Sequence, residues 1–247
     1  DKLSRTVQAG RSKLSIGDQA PEPMAPTRMD RGDQRGGFEH DEAGNGFFDQ
    51  DWARMGSDYL ALTQCALTKF AGQLDPERIE FSGHSKGAYI AAIAAGLAFD
   101  GRSGPRPKTT ILLEPAGADE ATLPKIGRET SLTVVFSDAD TVVPRSYSET
   151  IFQKAGAGKK QLILLKSYTL SDSDRALKAD HMWPLTKAGF FGGGPEGPLH
   201  YYGSWKWLVA AARDLSAGGR FDEPYLYGQQ ALEKGIPGFT DEAQRNF

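Results

Sequence analysis

Gly83-His84-Ser85-Lys86-Gly87 stands at the junction of two very different runs. Arg78-Ile79-Glu80-Phe81 before it alternates like a strand. The alanine-rich run from Lys86 to Phe99 after it reads as a buried helix, closed by the breaker-rich stretch 100–107. A serine between strand and helix, with a glycine two residues either side, is the G-x-S-x-G spelling of a sharp, strained turn. Side chains at the glycine positions would run into the adjoining strand and helix. The spacing predicts a helix that begins at the serine, so its dipole and the Lys86 N–H favour negative charge beside Ser85. An S-x-x-K arrangement has no support, because Lys86 is adjacent to Ser85 and no S-D-N or K-T-G follows. His84 is tempting as a base, but consecutive residues of a turn point in different directions. It reads as a wall of the turn, within reach of substrate.

The rest of the chain sets this unit in a layered fold. Short apolar strands are predicted over 109–113, 132–136 and 161–165, and helices over 146–154 and about 203–215. Tyr202, Trp205, Leu208, Val209 and Ala212 fit the buried side of the last helix. Upstream, Tyr59, Leu62, Ala66 and Phe70 share a helical stripe, with Leu60, Thr63, Leu67 and Leu74 beside it, and Asp75-Pro76 ends that helix. Strands alternating with helices predict an α/β fold, a mostly parallel sheet covered by helices on both faces. Residues 17–52 are rich in Gly, Pro, Asp, Arg and Gln, the stretch 19–50 has no sustained period, and only Leu14 and Ile16 suggest an earlier strand, near 13–16. The expected organisation is one domain over 1–247, irregular over 1–52, with a core over 53–247.

A serine hydroxyl is a poor nucleophile unless a base takes its proton and a carboxylate orients the base. After such a turn the acid is expected next along the chain and the histidine last. Val134 to Phe136 is a buried strand that spills into Ser137-Asp138-Ala139-Asp140, at the sheet edge where such folds carry ligands. Asp138 and Asp140 both qualify there. Among the four histidines, His40 precedes the serine, and His200 lies beside the last helix, where packing suits it better. His181, on a loop after the last strand run, is where a base must come from to reach Ser85. Trp183, Phe190, Phe191 and Tyr201 are candidates to line an acyl or alcohol pocket, with ordinary packing the alternative.

Composition narrows the classes of partner. The formal charge of −3 and the absence of a basic stripe argue against nucleic acid. No apolar run approaches the ~20 residues that span a bilayer. Cys65 is alone and is expected as a buried thiol at an apolar helix position; one cysteine leaves the compartment undecided. Ser171-Asp172-Ser173-Asp174 and Asp41, Asp49 and Asp51 lack the spacing of a calcium cage. Gly192-Gly193-Gly194 lacks the helix and lysine of a phosphate loop. No metal or organic cofactor is expected.

The motifs Gly83-His84-Ser85-Lys86-Gly87, Asp140-Thr141-Val142-Val143-Pro144 and His181-Met182-Trp183-Pro184 resemble the G-H-S-x-G, D-x-x-x-P and H-F-x-P signatures of bacterial cutinases and polyester hydrolases. They are more loosely similar to dienelactone hydrolases. The likeness continues into Tyr202-Gly203-Ser204-Trp205-Lys206-Trp207-Leu208. It implies an α/β-hydrolase fold and a serine esterase that forms an acyl-enzyme on Ser85, with His181 as base. Asp140 rather than Asp138 is the acid on this resemblance, the Lys86 N–H is one oxyanion donor, and His84 and Trp183 meet a small-molecule ester. Acyl transfer or amide cleavage would use the same residues, and a non-catalytic binding protein of the same fold is the rival. Where that family carries a platform tryptophan this chain has Glu114-Pro115-Ala116-Gly117-Ala118, so aromatic polyester is not implied. The family's other oxyanion donor follows an early strand, and this chain looks short of that wing of its sheet. The strand 78–81 is therefore expected to pair on one side with upstream chain, with a strand recruited from 1–50, or with a partner.

Overall fold

The computed structural model describes residues 51–100, 104–169, 176–185, 199–216 and 239–240. The chain separates into two compact units, 1–50 and 51–247, and the described residues all belong to the second. The expected strand near 13–16, His40, Phe190, Phe191, the 171–174 run and the 192–194 glycines lie outside them.

The apolar runs form the strands. In chain order the elements are α1 (Trp52–Lys69), β1 (Glu80–His84), α2 (Lys86–Phe99), β2 (Thr109–Leu113), β3 (Ser131–Ser137), α3 (Arg145–Lys154), β4 (Lys159–Leu165), β5 (Tyr168–Thr169), β6 (Ala176–Leu177), α4 (Trp205–Ser216) and β7 (Phe239–Thr240). The main sheet has the order β1-β2-β3-β4-β7. Strands β1 to β4 run parallel, and the two-residue β7 joins antiparallel at β4. A separate antiparallel pair, β5 with β6, sits on the connection that leads to His181.

Both faces of the sheet are covered. Phe81, Leu112, Leu132, Val134, Phe136, Leu162 and Leu164 pack with the alanines of α2 and with Ile151 of α3. The alternate residues Ile111, Leu113, Val135, Ile163 and Leu165 pack with Trp207 and Ala211 of α4. This period-2 split across strands covered on both faces is why the centres of β2, β3 and β4 read as apolar runs. Small side chains let the layers close up: a Cβ at Gly56 of α1 would lie 2.3 Å from Ile93 Cγ2 of α2. Parallel strands, helices on both faces and a strand–serine turn–helix unit make this an α/β-hydrolase-type fold.

Among the described residues β1 has β2 on one side and no strand on the other. None of the three expected pairings for that edge falls within them. Tyr59 of α1 covers part of the edge: its ring meets Phe81 edge-on at 5.1 Å, and its oxygen lies beside the Ser82 N–H.

Three buried faces differ from expectation. Helix α1 fully buries only Gly56 and Leu60, and Leu62 is 70% exposed. Cys65 is exposed rather than buried. It lies about 140° round the helix from Leu60, at about 100° per residue. In α4 the buried residues are Trp207, Ala210, Ala211, Asp214 and Leu215, while Val209 is 56% exposed and Ala212 is also exposed. A buried aspartate on the true inner face disguised its phase.

Candidate active site

Ser85 occupies the turn between β1 and α2 with φ 55° and ψ −122°, a conformation that non-glycine residues avoid. The backbone around it is tied down. Its N–H donates to the Leu113 carbonyl at 2.9 Å, and its carbonyl accepts from Ala88 N and Ala116 N, each at 3.1 Å. Gly83 is required where it stands, because a Cβ there would lie 2.4 Å from the Gly87 carbonyl carbon and oxygen. The same is not true of Gly87, whose Cβ would meet nothing within 4 Å, so the clash expected on both sides exists on one. Lys86 opens α2, so its N–H lies in the first turn of the helix, beside the serine. Its side chain lies over the Trp52 ring at 4.7 Å, so what it brings to the serine is backbone.

Asp140, His181 and Ser85 come together. His181 Nε2 is 2.8 Å from Ser85 Oγ, and His181 Nδ1 is 2.8 Å from Asp140 Oδ2. His181 is buried and Asp140 half-buried, with their side chains 7% and 4% exposed. Asp140 Oδ1 accepts from the N–H groups of Val142 and Val143 at 2.7 and 3.1 Å, an Asx-type turn just beyond β3. Burial works to raise its pKa, but hydrogen bonds from His181, Glu114, Val143 and Val142 overcome this and hold it at about 2. With Asp140 ionised, the tautomer that fits is Nδ1–H toward Asp140 and a bare Nε2 toward the serine hydroxyl.

Asp138 does different work. Its Oδ1 accepts from Ser167 N at 2.9 Å and from Ser167 Oγ at 2.8 Å, and Ser167 Oγ in turn accepts from Ala179 N. That link fastens the end of β3 to the loop carrying His181. His84 fastens the same loop, its Nε2 2.7 Å from the His181 carbonyl oxygen. Burial pushes the His84 pKa down to about 4, which keeps the ring neutral and able to donate. His200 is buried against Trp205, its Nε2 3.2 Å from the Leu185 carbonyl. Trp183, expected to meet substrate, is only 4% exposed, and its indole N–H donates to Glu114 Oε1 at 2.7 Å.

Glu114 escaped the sequence reading. It follows the fully buried β2 directly, is 1% exposed, and has φ 47°. Burial, reinforced by Asp140, pushes its pKa up to about 8 against the pull of the Ser137 hydroxyl and the Trp183 indole. The available signal was an acidic residue directly after the apolar Ile111-Leu112-Leu113 run. Among the described residues Glu114, Asp140 and His181 also offer ligand atoms within 4.8 Å of one another. Of the His181 nitrogens, Nδ1 faces Asp140 and Nε2 faces Ser85. A cleft of about 1020 Å³ bordered by Leu67, Leu74, Glu77, Arg106 and Lys108 lies by the segments entering β1 and β2, at the opposite end of the strands from Ser85.

No protein-family model matches the chain, and no curated protein matches it. Among solved structures it is similar to the zinc-bound, polyethylene-glycol-bound and native forms of a cold-adapted esterase from an Arctic intertidal metagenomic library. Each is 16% identical with a TM-score of 0.36. The match covers 46% of this chain and spans about half the length of the esterase (48%, 46% and 49%).

Proposed function

We propose that this protein is a serine hydrolase that cleaves carboxylic esters of small molecules through an acyl-enzyme. The observation that carries the reading is the unbroken hydrogen-bonded line Asp140–His181–Ser85, ending on a serine held at positive φ at the start of a helix. In this mechanism His181 Nε2 takes the proton as Ser85 Oγ attacks the ester carbonyl. The oxyanion forms beside the Lys86 N–H and the positive end of α2. Collapse expels the alcohol, which receives the proton from His181, and leaves the acyl group on Ser85. Water then attacks with His181 again as base, releasing the acid. Asp140 stays ionised throughout and balances the imidazolium. Labelling by a fluorophosphonate probe tests the reading. Wild-type protein is expected to be labelled and Ser85→Ala not, and a wild-type protein that stays unlabelled would overturn it.

A further inference from the structure

We propose that Glu114 is a positioning residue for the Asp140–His181 pair, its carboxyl holding a proton donated to the Asp140 carboxylate while its other oxygen anchors the Trp183 indole. The proposal rests on the serine-hydrolase reading above and deepens it. Glu114 lies at the end of β2 and Asp140 just beyond the neighbouring parallel β3, so both carboxyls are delivered to the same end of the sheet. Oxygens of both fall within 4.8 Å of each other and of a His181 nitrogen. Glu114 Oε1 accepts from Trp183, whereas Oε2 is buried and accepts nothing.

Two carboxylates this close and this buried do not both ionise. Asp140 has three donors, His181 Nδ1 and the two backbone N–H groups, so it keeps the charge. A proton on Glu114 turns the orphan Oε2 into a donor and satisfies it. The surroundings agree. Among the described residues, β3 presents Asp140 and the Ser137 hydroxyl, and the loop presents His181 and Trp183, with no cation among the groups acting on Glu114. The positive φ of Glu114 is fixed by its N–H, which donates to the Val135 carbonyl at 2.8 Å. Glu114 thus grips the acid with one oxygen and, two residues beyond His181, the loop of the base with the other.

Hydrolysis of p-nitrophenyl butyrate by wild type, Glu114→Gln and Glu114→Ala, followed from roughly pH 6 to pH 9.5, tests the assignment. Glutamine keeps an acceptor for Trp183 and a donor for Asp140, so its kcat near neutrality is expected within about threefold of wild type. Alanine keeps neither and is expected to lower kcat about 10- to 100-fold with KM little changed, through misplacement of the base. Wild-type activity is expected to fall as Glu114 ionises near pH 8, and Glu114→Gln to lack that fall. Tryptophan fluorescence is expected to titrate over the same range in wild type and not in Glu114→Gln, a readout that needs no turnover. Equal loss in Glu114→Gln and Glu114→Ala, or an alkaline fall that persists in Glu114→Gln, overturns the role of Glu114 alone. Should Glu114→Ala fail to fold, the Glu114→Gln profile decides. Wild-type protein that neither labels with fluorophosphonate nor turns over overturns the serine-hydrolase reading and this proposal with it.

Discussion

His84 Nε2 lies 2.7 Å from the carbonyl oxygen of His181, so the residue before the serine holds the backbone of the residue whose ring faces the serine hydroxyl. The rings are 4.9 Å apart between centroids, near enough for a charge on one to disturb the other. Burial prevents that by keeping His84 neutral.

His84→Gln, which carries a donor at a comparable reach, is expected to stay within about tenfold of wild-type kcat, and His84→Phe to lose about 100-fold. A stability measurement separates the pair from simple packing. The folded pKa of His84 is about 4 against an ordinary histidine value of 6.5, so the unfolded chain takes up the proton first as pH falls. Stability is complete above about pH 6.5 and is lost as pH drops toward 4, by about 2–3 kcal/mol. Urea denaturation of His84→Gln is expected to show a shallower acid slope than wild type. Equal slopes would remove His84 from this account.

The two aspartates after β3 give a direct contrast. Asp140→Asn leaves the shape but favours the wrong histidine tautomer, and kcat is expected to fall by about 10³ to 10⁴. Asp138→Asn can still accept from Ser167, and its kcat is expected within about tenfold of wild type. Steady-state kinetics on one ester decides. A larger loss at Asp138 than at Asp140 would reverse the assignment.

Glu114 also makes stability depend on pH in the opposite sense to His84. Its folded pKa of about 8 lies above the unfolded value, so the unfolded chain ionises first as pH rises. The stability it contributes is complete below about pH 4.3 and drains away up to about pH 8, by a few kcal/mol at about 1.4 per unit. Thermal melting is therefore expected to show Glu114→Gln gaining on wild type steadily from about pH 5 to about pH 8. A constant difference in Tm across that range would mean that Glu114 is already ionised.

Much of this arrangement was legible in the chain because its signals are local. The limits of α2 at Lys86 and Phe99, and of β2 at Thr109 and Leu113, coincide with the apolar runs. The order of partners expected after a serine turn pointed to His181 and to the Asp138–Asp140 turn, and only the family resemblance separated the two aspartates. What stayed hidden depends on contacts across the sequence. Asp138 and Asp140 look alike in a linear reading, and only Ser167 on one side and His181 on the other tell them apart. Glu114 reads as the end of a strand, and Trp183 as a substrate wall, until the loop folds one onto the other. In α4 the inward Asp214 breaks the apolar period and shifts the inferred face round the helix.

The glycines of the serine turn part company in the same way, and they supply the sharpest structural test. The G-x-S-x-G spelling treats Gly83 and Gly87 as equivalent. A Cβ at Gly83 would be 2.4 Å from the Gly87 carbonyl oxygen and 2.6 Å from the Ala88 nitrogen, all backbone atoms of the first turn of α2. That turn cannot retreat, because Ser85 is held through Leu113 and Ala116. Gly83→Ala is therefore expected to destabilise the fold by about 3 kcal/mol or more and to abolish fluorophosphonate labelling. Gly87 is inside α2 with open space where its Cβ would be. Gly87→Ala removes glycine's helix penalty and is expected to leave stability unchanged or raise it by up to about 1 kcal/mol. Urea denaturation of the two variants checks this, and equal destabilisation by both would contradict the asymmetric turn.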